Sequence, residues 1–264
     1  MDGLDFLEEY AKPIEELITS ILSRYAETEI GGTLEGDYQT LPPREAFFET
    51  PLREGEKYFP QEVVNLIKTY LRDSRVLKDH IRLIALSSRG ELEGLLTNLV
   101  LLYTRNFVRE EQRHTYPEWC SECKNPHKLG FLWNVYRQTE EVNLKASLVR
   151  GMFLLAPKSG FVENLVISTL REKNLNRNLK WTIYYEFLQD RVGDFVANPS
   201  KGKRFLNLLE EAKREFPNDD MFYEIDGHIG MHFLLNGDTE EAKRYLSKFY
   251  DWIVYRHLAD IKPV

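Results

Sequence analysis

Four residues have the types and spacing to hold a metal ion: His114, Cys120, Cys123 and His127, in the pattern H-x5-C-x2-C-x3-H. Two cysteines separated by two residues form a knuckle whose thiolates grip one side of a zinc ion, and two imidazoles complete the tetrahedron. A filled Cys2His2 set leaves no open coordination position. The expected zinc is therefore structural, a staple that fastens a loop between long helices and contributes directly to folding. Pro117, Asn125 and Pro126 suit the tight path such a loop must take. A C-x2-C pair is weakly specific by itself. Two thiols beside unrelated histidines, with His114 belonging to a helix end, explain the same residues. A redox dithiol would need a preceding strand, and none is read here. Covalent haem attachment would need histidine directly after the second cysteine, where Lys124 stands.

The same segment permits a second metal chemistry. Glu111 and His114 have E-x-x-H spacing, which puts a carboxylate and an imidazole on one helix face, in line with Tyr103 and Phe107. The run Glu110-Glu111-Gln112-Arg113-His114 resembles the iron-ligand motif of ferritin-like bundles, and that resemblance implies a metalloenzyme with a second E-x-x-H. The chain has no second copy, and Glu224 with His228 has the wrong interval. Solvated helix-end charges explain the run more simply. His228 and His232 are four residues apart, with Glu224 on the same face and Asp226 on an adjacent one. Such a pair can chelate zinc. With Gly227 and Gly230 between and beside them, it can equally wall a groove that hydrogen-bonds a peptide.

No catalytic residues are expected. Lys201-Gly202-Lys203-Arg204 lacks the upstream glycine of a phosphate loop, and neither G-x-G-x-x-G nor G-x-S-x-G occurs. Two basic stretches remain. Arg171, Lys173, Arg177 and Lys180 stand beside Trp181, Tyr184 and Tyr185, while Lys201, Lys203, Arg204, Lys213 and Arg214 follow later. Cations interleaved with aromatics can track a single nucleic-acid strand. Against this, 42 acidic residues outnumber 35 basic ones, which gives a net charge of -7 and argues against broad, non-specific nucleic-acid binding. A solvated helix face accounts for both stretches.

The elements that must position these residues are helices. Phe6, Leu7, Tyr10, Ile14, Leu17, Ile18, Ile21, Leu22 and Tyr25 recur at three- and four-residue steps. Residues 31–60 break the pattern with Gly31, Gly32, Gly36, Pro42, Pro43, Pro51, Gly55 and Pro60, yet keep Tyr38, Phe47, Phe48, Tyr58 and Phe59. That many aromatics predict an ordered loop packed along the helices. Stripes at Val63, Val64, Ile67, Tyr70, Leu71 and at Leu77, Ile81, Ile84, Ala85 predict two more helices, and a long one follows over 91–111. Helical patterns then cover 131–156, 158–172, 175–192, 201–216, 219–236 and 239–258. Nothing alternates with period two for long, so the fold class is all-α. Three regions are expected: a helical region 1–113, the zinc loop 114–130, and a second helical region 131–264; one continuous domain is the alternative.

With 42% apolar residues, the chain can bury a sizeable core. Two cysteines build no disulfide framework, which points to a reducing compartment. The start, Met1-Asp2-Gly3-Leu4-Asp5, has no signal-peptide pattern, so a cytoplasmic location is expected. No apolar run reaches the roughly 18–20 residues of a membrane span.

The last third has an internal rhythm. Ile229, Gly230, Phe233, Gly237, Ala242 and Leu246 place a small residue where paired helices touch, then a turn glycine, then an alanine in the second helix; Leu209, Ala212 and Pro217 fit the end of an earlier unit. Residues 201–250 thereby resemble tetratricopeptide units, helix pairs that stack into a solenoid. The match covers one full unit and the tail of another, and Asp226 stands where the family has a large aromatic. An ordinary helical bundle would use the same small residues for close packing. The resemblance implies a scaffold or adaptor that binds a protein or peptide partner. Tyr184, Tyr185, Phe222, Tyr223 and Phe233 are candidates for that surface, although helical aromatics are more often core.

Overall fold

The computed structural model of the chain describes residues 3–35, 44–105, 125–198, 202–217 and 219–259. Their regular structure is all-helical, with no strand among the described residues. No helix among them is long and apolar enough to cross a membrane. The chain divides into two compact units, Met1–Asn176 and Arg177–Val264.

The N-terminal unit begins with α1 (Gly3–Glu9), α2 (Ala11–Glu35), α3 (Arg44–Tyr58), α4 (Gln61–Arg72) and α5 (Ser74–Ala85). The apolar stripes read from sequence are buried: Ile14, Leu17, Ile18 and Ile21 on α2, Val63, Val64, Ile67 and Tyr70 on α4, Leu77, Ile81 and Ile84 on α5. Each such aliphatic side chain contributes about 1.5–3 kcal/mol on leaving water. One residue separates α4 from α5. That residue is Asp73, whose carboxylate accepts the Arg75 amide at 2.9 Å and so satisfies a free donor of the new helix.

Residues 44–58 were expected to be loop and are helical. Pro51, Leu52 and Gly55 lie on one buried side of α3, and a Cβ at Gly55 would stand 3.0 Å from Leu17 Cδ1 of α2. Tertiary burial of one face overrides the local breakers.

A single 3-10 turn at Gly90–Leu92 leads into α6 (Glu93–Thr104), followed by α7 (Pro126–Tyr136), α8 (Val142–Leu155) and α9 (Gly160–Leu170). The helical pattern expected over 131–156 is two helices. Glu141 ends the intervening bend by accepting the Leu144 amide at 2.7 Å, which starts α8. Periodicity alone does not show this break, because both flanking faces are apolar. Helices α6 and α8 form the centre of the unit. They approach closely because a Cβ at Gly151 would overlap Val100 Cγ1 and lie 3.1 Å from Leu132 Cδ1. Their buried polar groups pair with each other: Thr97 Oγ1 lies 2.7 Å from Ser147 Oγ. Lys128 on α7 is buried and donates at 2.6 Å to the Tyr103 carbonyl, one of the acceptors left open at the end of α6.

The C-terminal unit contains α10 (Arg177–Ala197), α11 (Lys203–Glu215), α12 (Asp220–Leu235) and α13 (Thr239–Ala259). Helix α11 runs antiparallel to α10: Lys180 meets Glu215 at 2.7 Å at one end and Phe195 stacks on Phe205 at the other. Helix α13 runs antiparallel to α12, with Gly227 facing Phe249 and Gly230 facing Leu246. Helices α10 and α12 run side by side in the same direction, tied by Trp181 Nε1 donating to Asp219 at 2.7 Å and by Phe195 against Phe233.

The turn between α12 and α13 needs Gly237, whose φ of +81° is in the left-handed region. The Asp238 amide donates to the Phe233 carbonyl at 3.0 Å and the Gly237 amide to Leu234 at 3.1 Å, which closes the helix end as a Schellman motif. Asp238 then caps α13 through the Glu241 amide at 3.2 Å.

Candidate functional site

Of the expected zinc ligands, His114, Cys120 and Cys123 lie outside the described residues, as does Glu111 of the di-iron alternative. His127 sits in the first turn of α7, directly after Pro126, half-buried. Asn125 caps this helix by accepting the Lys128 amide at 3.2 Å. Among the described residues no group of three or more His, Cys, Asp or Glu side chains is arranged to hold a metal ion. That includes Glu224, His228 and His232: the first two are exposed, and the ring of His232 lies against Asn236 Nδ2, 3.0 Å from Nε2.

The aromatic candidates divide by burial. Tyr184 and Phe222, expected on a partner surface, are buried in the core. Tyr184 faces inward on α10 and meets Phe216 edge-on at 6.1 Å. Phe233 is half-buried and stacks on Tyr245 at 5.9 Å, and Tyr223 is half-buried. Tyr185 is exposed and stacks flat on Trp181, ring centroids 5.3 Å apart and planes 8° from parallel. Two of the basic candidates, Lys180 and Arg177, are engaged within the protein. Lys180 pairs with Glu215 at 2.7 Å, and the Arg177 guanidinium lies over the Phe216 ring at 5.4 Å. Arg171 and Lys173 are exposed at the end of α9 and belong to the N-terminal unit, whereas Arg177 and Lys180 belong to the C-terminal one.

Two features escaped the sequence reading. The first is an apolar exposure at the end of α12: Met231 and Leu234 are each 45% exposed and Leu235 is 82% exposed. The spacing of Glu224, His228, Met231 and Leu235 puts them on one helix face, opposite the buried Phe222, Ile225 and Ile229. That spacing was legible; the exposure of this face was not, because it depends on which elements pack over it.

The second is a set of carboxylates at the start of α6. Helix α6 follows Leu92, which offers no side-chain cap. Instead Glu15 of α2 lays its carboxylate where a Cβ on Gly94 would be 3.2 Å away, and Glu141 lies similarly over Gly90 at 3.1 Å. Glu93 completes the set and accepts from Thr97 at 3.0 Å. Burial pushes the Glu15 and Glu93 carboxyls above the ordinary range. Glu93 and Glu16 add to the effect at Glu15; at Glu93, Glu141 adds while Thr97 and Arg150 oppose. Glycines at 90 and 94 make room, but the three glutamates come from sequence positions far apart, so no local motif announces them.

In the C-terminal unit, Asp226 is buried and bonded to Lys213 Nζ at 2.6 Å, which joins α11 to α12. Burial raises this carboxyl, and Lys213 is the main opposing influence. The Lys213 ammonium also lies 6.0 Å from the Tyr245 ring of α13. A buried ion pair thus occupies the place where the tetratricopeptide pattern has an aromatic.

No family model, no curated protein and no solved structure matches the chain.

Proposed function

We propose that the protein is a non-enzymatic interaction scaffold whose C-terminal helical hairpins bind a protein or peptide partner. The observation that carries this reading is the exposed apolar end of α12: Met231, Leu234 and Leu235 stand on a helix otherwise seated by tight packing against α13. Soluble surfaces rarely leave several adjacent large apolar side chains open without use. The small residues Gly227 and Gly230, the turn at Gly237 and the parallel pairing of α10 with α12 fit the tetratricopeptide resemblance, and stacked units of that kind present extended binding faces. The cations of the nucleic-acid alternative are paired or stacked internally at Lys180 and Arg177, which favours a protein partner.

The test compares the full chain with Met231→Glu/Leu235→Glu as baits. Both positions are solvent-facing, so the melting temperature should be unchanged. The unaltered chain is expected to retain a saturable partner that the variant loses. Equal enrichment by both, or none by either, refutes this use of the surface.

We further propose the structural zinc of His114, Cys120, Cys123 and His127. The capped start of α7, which carries His127, supports it, since a metal staple needs at least one ligand on a fixed element. One zinc per chain, lost together with thermal stability in Cys120→Ser/Cys123→Ser, is the expected result. Metal-free protein with an unchanged melting curve in the variant overturns it, and two irons per chain would favour the ferritin-like reading.

A further inference from the structure

Tyr70 of α4 is fully buried, and its phenolic oxygen lies 2.6 Å from Nδ1 of His80 on α5. The rings meet edge to face with centroids 5.6 Å apart. This contact fixes the imidazole chemistry. Burial pushes the Tyr70 phenol far above its ordinary range, so it remains a neutral O–H group. A buried hydroxyl must place its hydrogen on an acceptor, and the acceptor at hydrogen-bond distance is His80 Nδ1. His80 must then carry its own proton on Nε2. A second proton would have to go to Nδ1. That atom would become a donor to which the Tyr70 oxygen could only act as acceptor, and the phenolic hydrogen would be left in the core without an acceptor.

We infer that Tyr70 and His80 form a proton-operated latch between α4 and α5, closed while His80 is the neutral Nε2–H tautomer and loosened when the imidazole is protonated. An orphaned buried hydroxyl weakens such a contact on the order of tenfold or more. Burial holds the His80 imidazole below the usual histidine range, against the neighbouring Asp79 carboxylate.

The charged groups on the packed elements leave this balance in place. On α5, Arg75 is paired with Asp73 at 2.9 Å, Asp79 is 3.4 Å from Arg82, and Lys78 and Arg82 lie over Phe131 of α7. On α4, Lys68 is bound to Glu56 of α3, while Glu62 and Arg72 are exposed. On α1, which approaches Leu83 at Gly3, Glu8 is bound to Arg89, and Asp5 and Glu9 are exposed. On α2, Lys12 lies 3.9 Å from Glu16, Glu15 faces Gly94, and Glu93 of α6 is bonded to Thr97. On α7, Lys128 is committed to the Tyr103 carbonyl. Among these groups Asp79 is the one whose charge acts on the imidazole.

A histidine depressed in the fold is protonated first in the unfolded chain. Stability therefore falls as pH drops below about 6.5 and levels off below the folded value.

The experiment is an NMR titration of the full chain from pH 7.5 to 5, reading the tautomer from two-bond proton–nitrogen couplings, with amide exchange followed in α4 and α5. The expected result is Nε2–H at pH 7.5, a His80 midpoint below the ordinary histidine value of about 6.5, and exchange about tenfold faster at pH 5 after correction for intrinsic rates. Tyr70→Phe should raise the His80 midpoint and shrink the pH-dependent increment. A neutral Nδ1–H tautomer, or a His80 midpoint at or above about 6.5, overturns the latch. Both are read in the unaltered chain, so they stand even if the variant fails to fold.

Discussion

Replacing Gly230 by alanine tests whether close helix contact sets the C-terminal unit. A Cβ there would lie 2.7 Å from Leu246 Cγ, 2.9 Å from its Cδ2 and 3.1 Å from its backbone nitrogen. A new rotamer can relieve the first two contacts. The third involves main chain, so α13 itself must shift. Overpacking of this kind costs about 1–3 kcal/mol. Alanine returns at most about 1 kcal/mol through its helix preference over glycine. The backbone contact places the cost in the upper part of its range, which leaves a net loss of about 1–2 kcal/mol. Gly193 provides the control. It lies in α10 with nothing within 4 Å of a built Cβ. Gly193→Ala should therefore stabilise by about 0.5–1 kcal/mol. Urea denaturation of both variants reads the difference, and Gly230→Ala on a Leu246→Ala background should lose about 1 kcal/mol of its penalty. Equal effects at the two glycines, or no coupling to Leu246, would refute the close-contact argument.

Three further outcomes follow from the buried charges and the packed centre. Lys213→Met strands Asp226 as a buried, unpaired carboxylate and should cost about 3 kcal/mol, whereas Lys213→Met/Asp226→Leu should recover most of it; denaturation midpoints distinguish the two. Glu93→Gln removes a carboxyl that burial raises while keeping an acceptor for Thr97, so the midpoint should rise at pH 7.5. For such an acid the stabilising contribution is fully present below the unfolded value near 4.5 and is lost as pH rises through the folded one, so the variant's advantage should vanish on acidification. A lower midpoint at pH 7.5 would contradict the burial argument. Gly151→Ala should destabilise the N-terminal unit, because Val100 must move, and Val100→Ala should suppress the effect, as denaturation of the double variant will show.

Helix class and most core stripes were legible because a 3.6-residue period in apolar side chains is a local property of the chain. Ile14, Leu17, Ile18 and Ile21, and likewise Leu77, Ile81 and Ile84, occupy the buried faces that their spacing assigned. The turn at Gly237 was equally local, since a positive φ calls for glycine wherever the chain folds. The helix over 44–58 was not legible. Its Pro51 and Gly55 signalled loop, and burial of Pro51, Leu52 and Gly55 on one face outweighed that signal.

The candidate surfaces mark the same boundary more sharply. Spacing put Tyr184 and Tyr185 side by side as partner-binding aromatics, but a helix turns 100° between neighbours, and the packed elements left one in the core and one in solvent. Lys180 looked like a phosphate ligand until Glu215, thirty-five positions away, was brought to 2.7 Å. Sequence by itself determined the helical class, most of the apolar faces, the turn glycine at Gly237 and the metal-ligand spacing of His114, Cys120, Cys123 and His127. Tertiary structure alone decided which charges are neutralised, which glutamates gather at Gly90 and Gly94, which phenol seals against His80, and which leucines stay open at the end of α12. Those outcomes depend on contacts between residues far apart in the chain, and a local pattern carries no information about who the distant neighbour is.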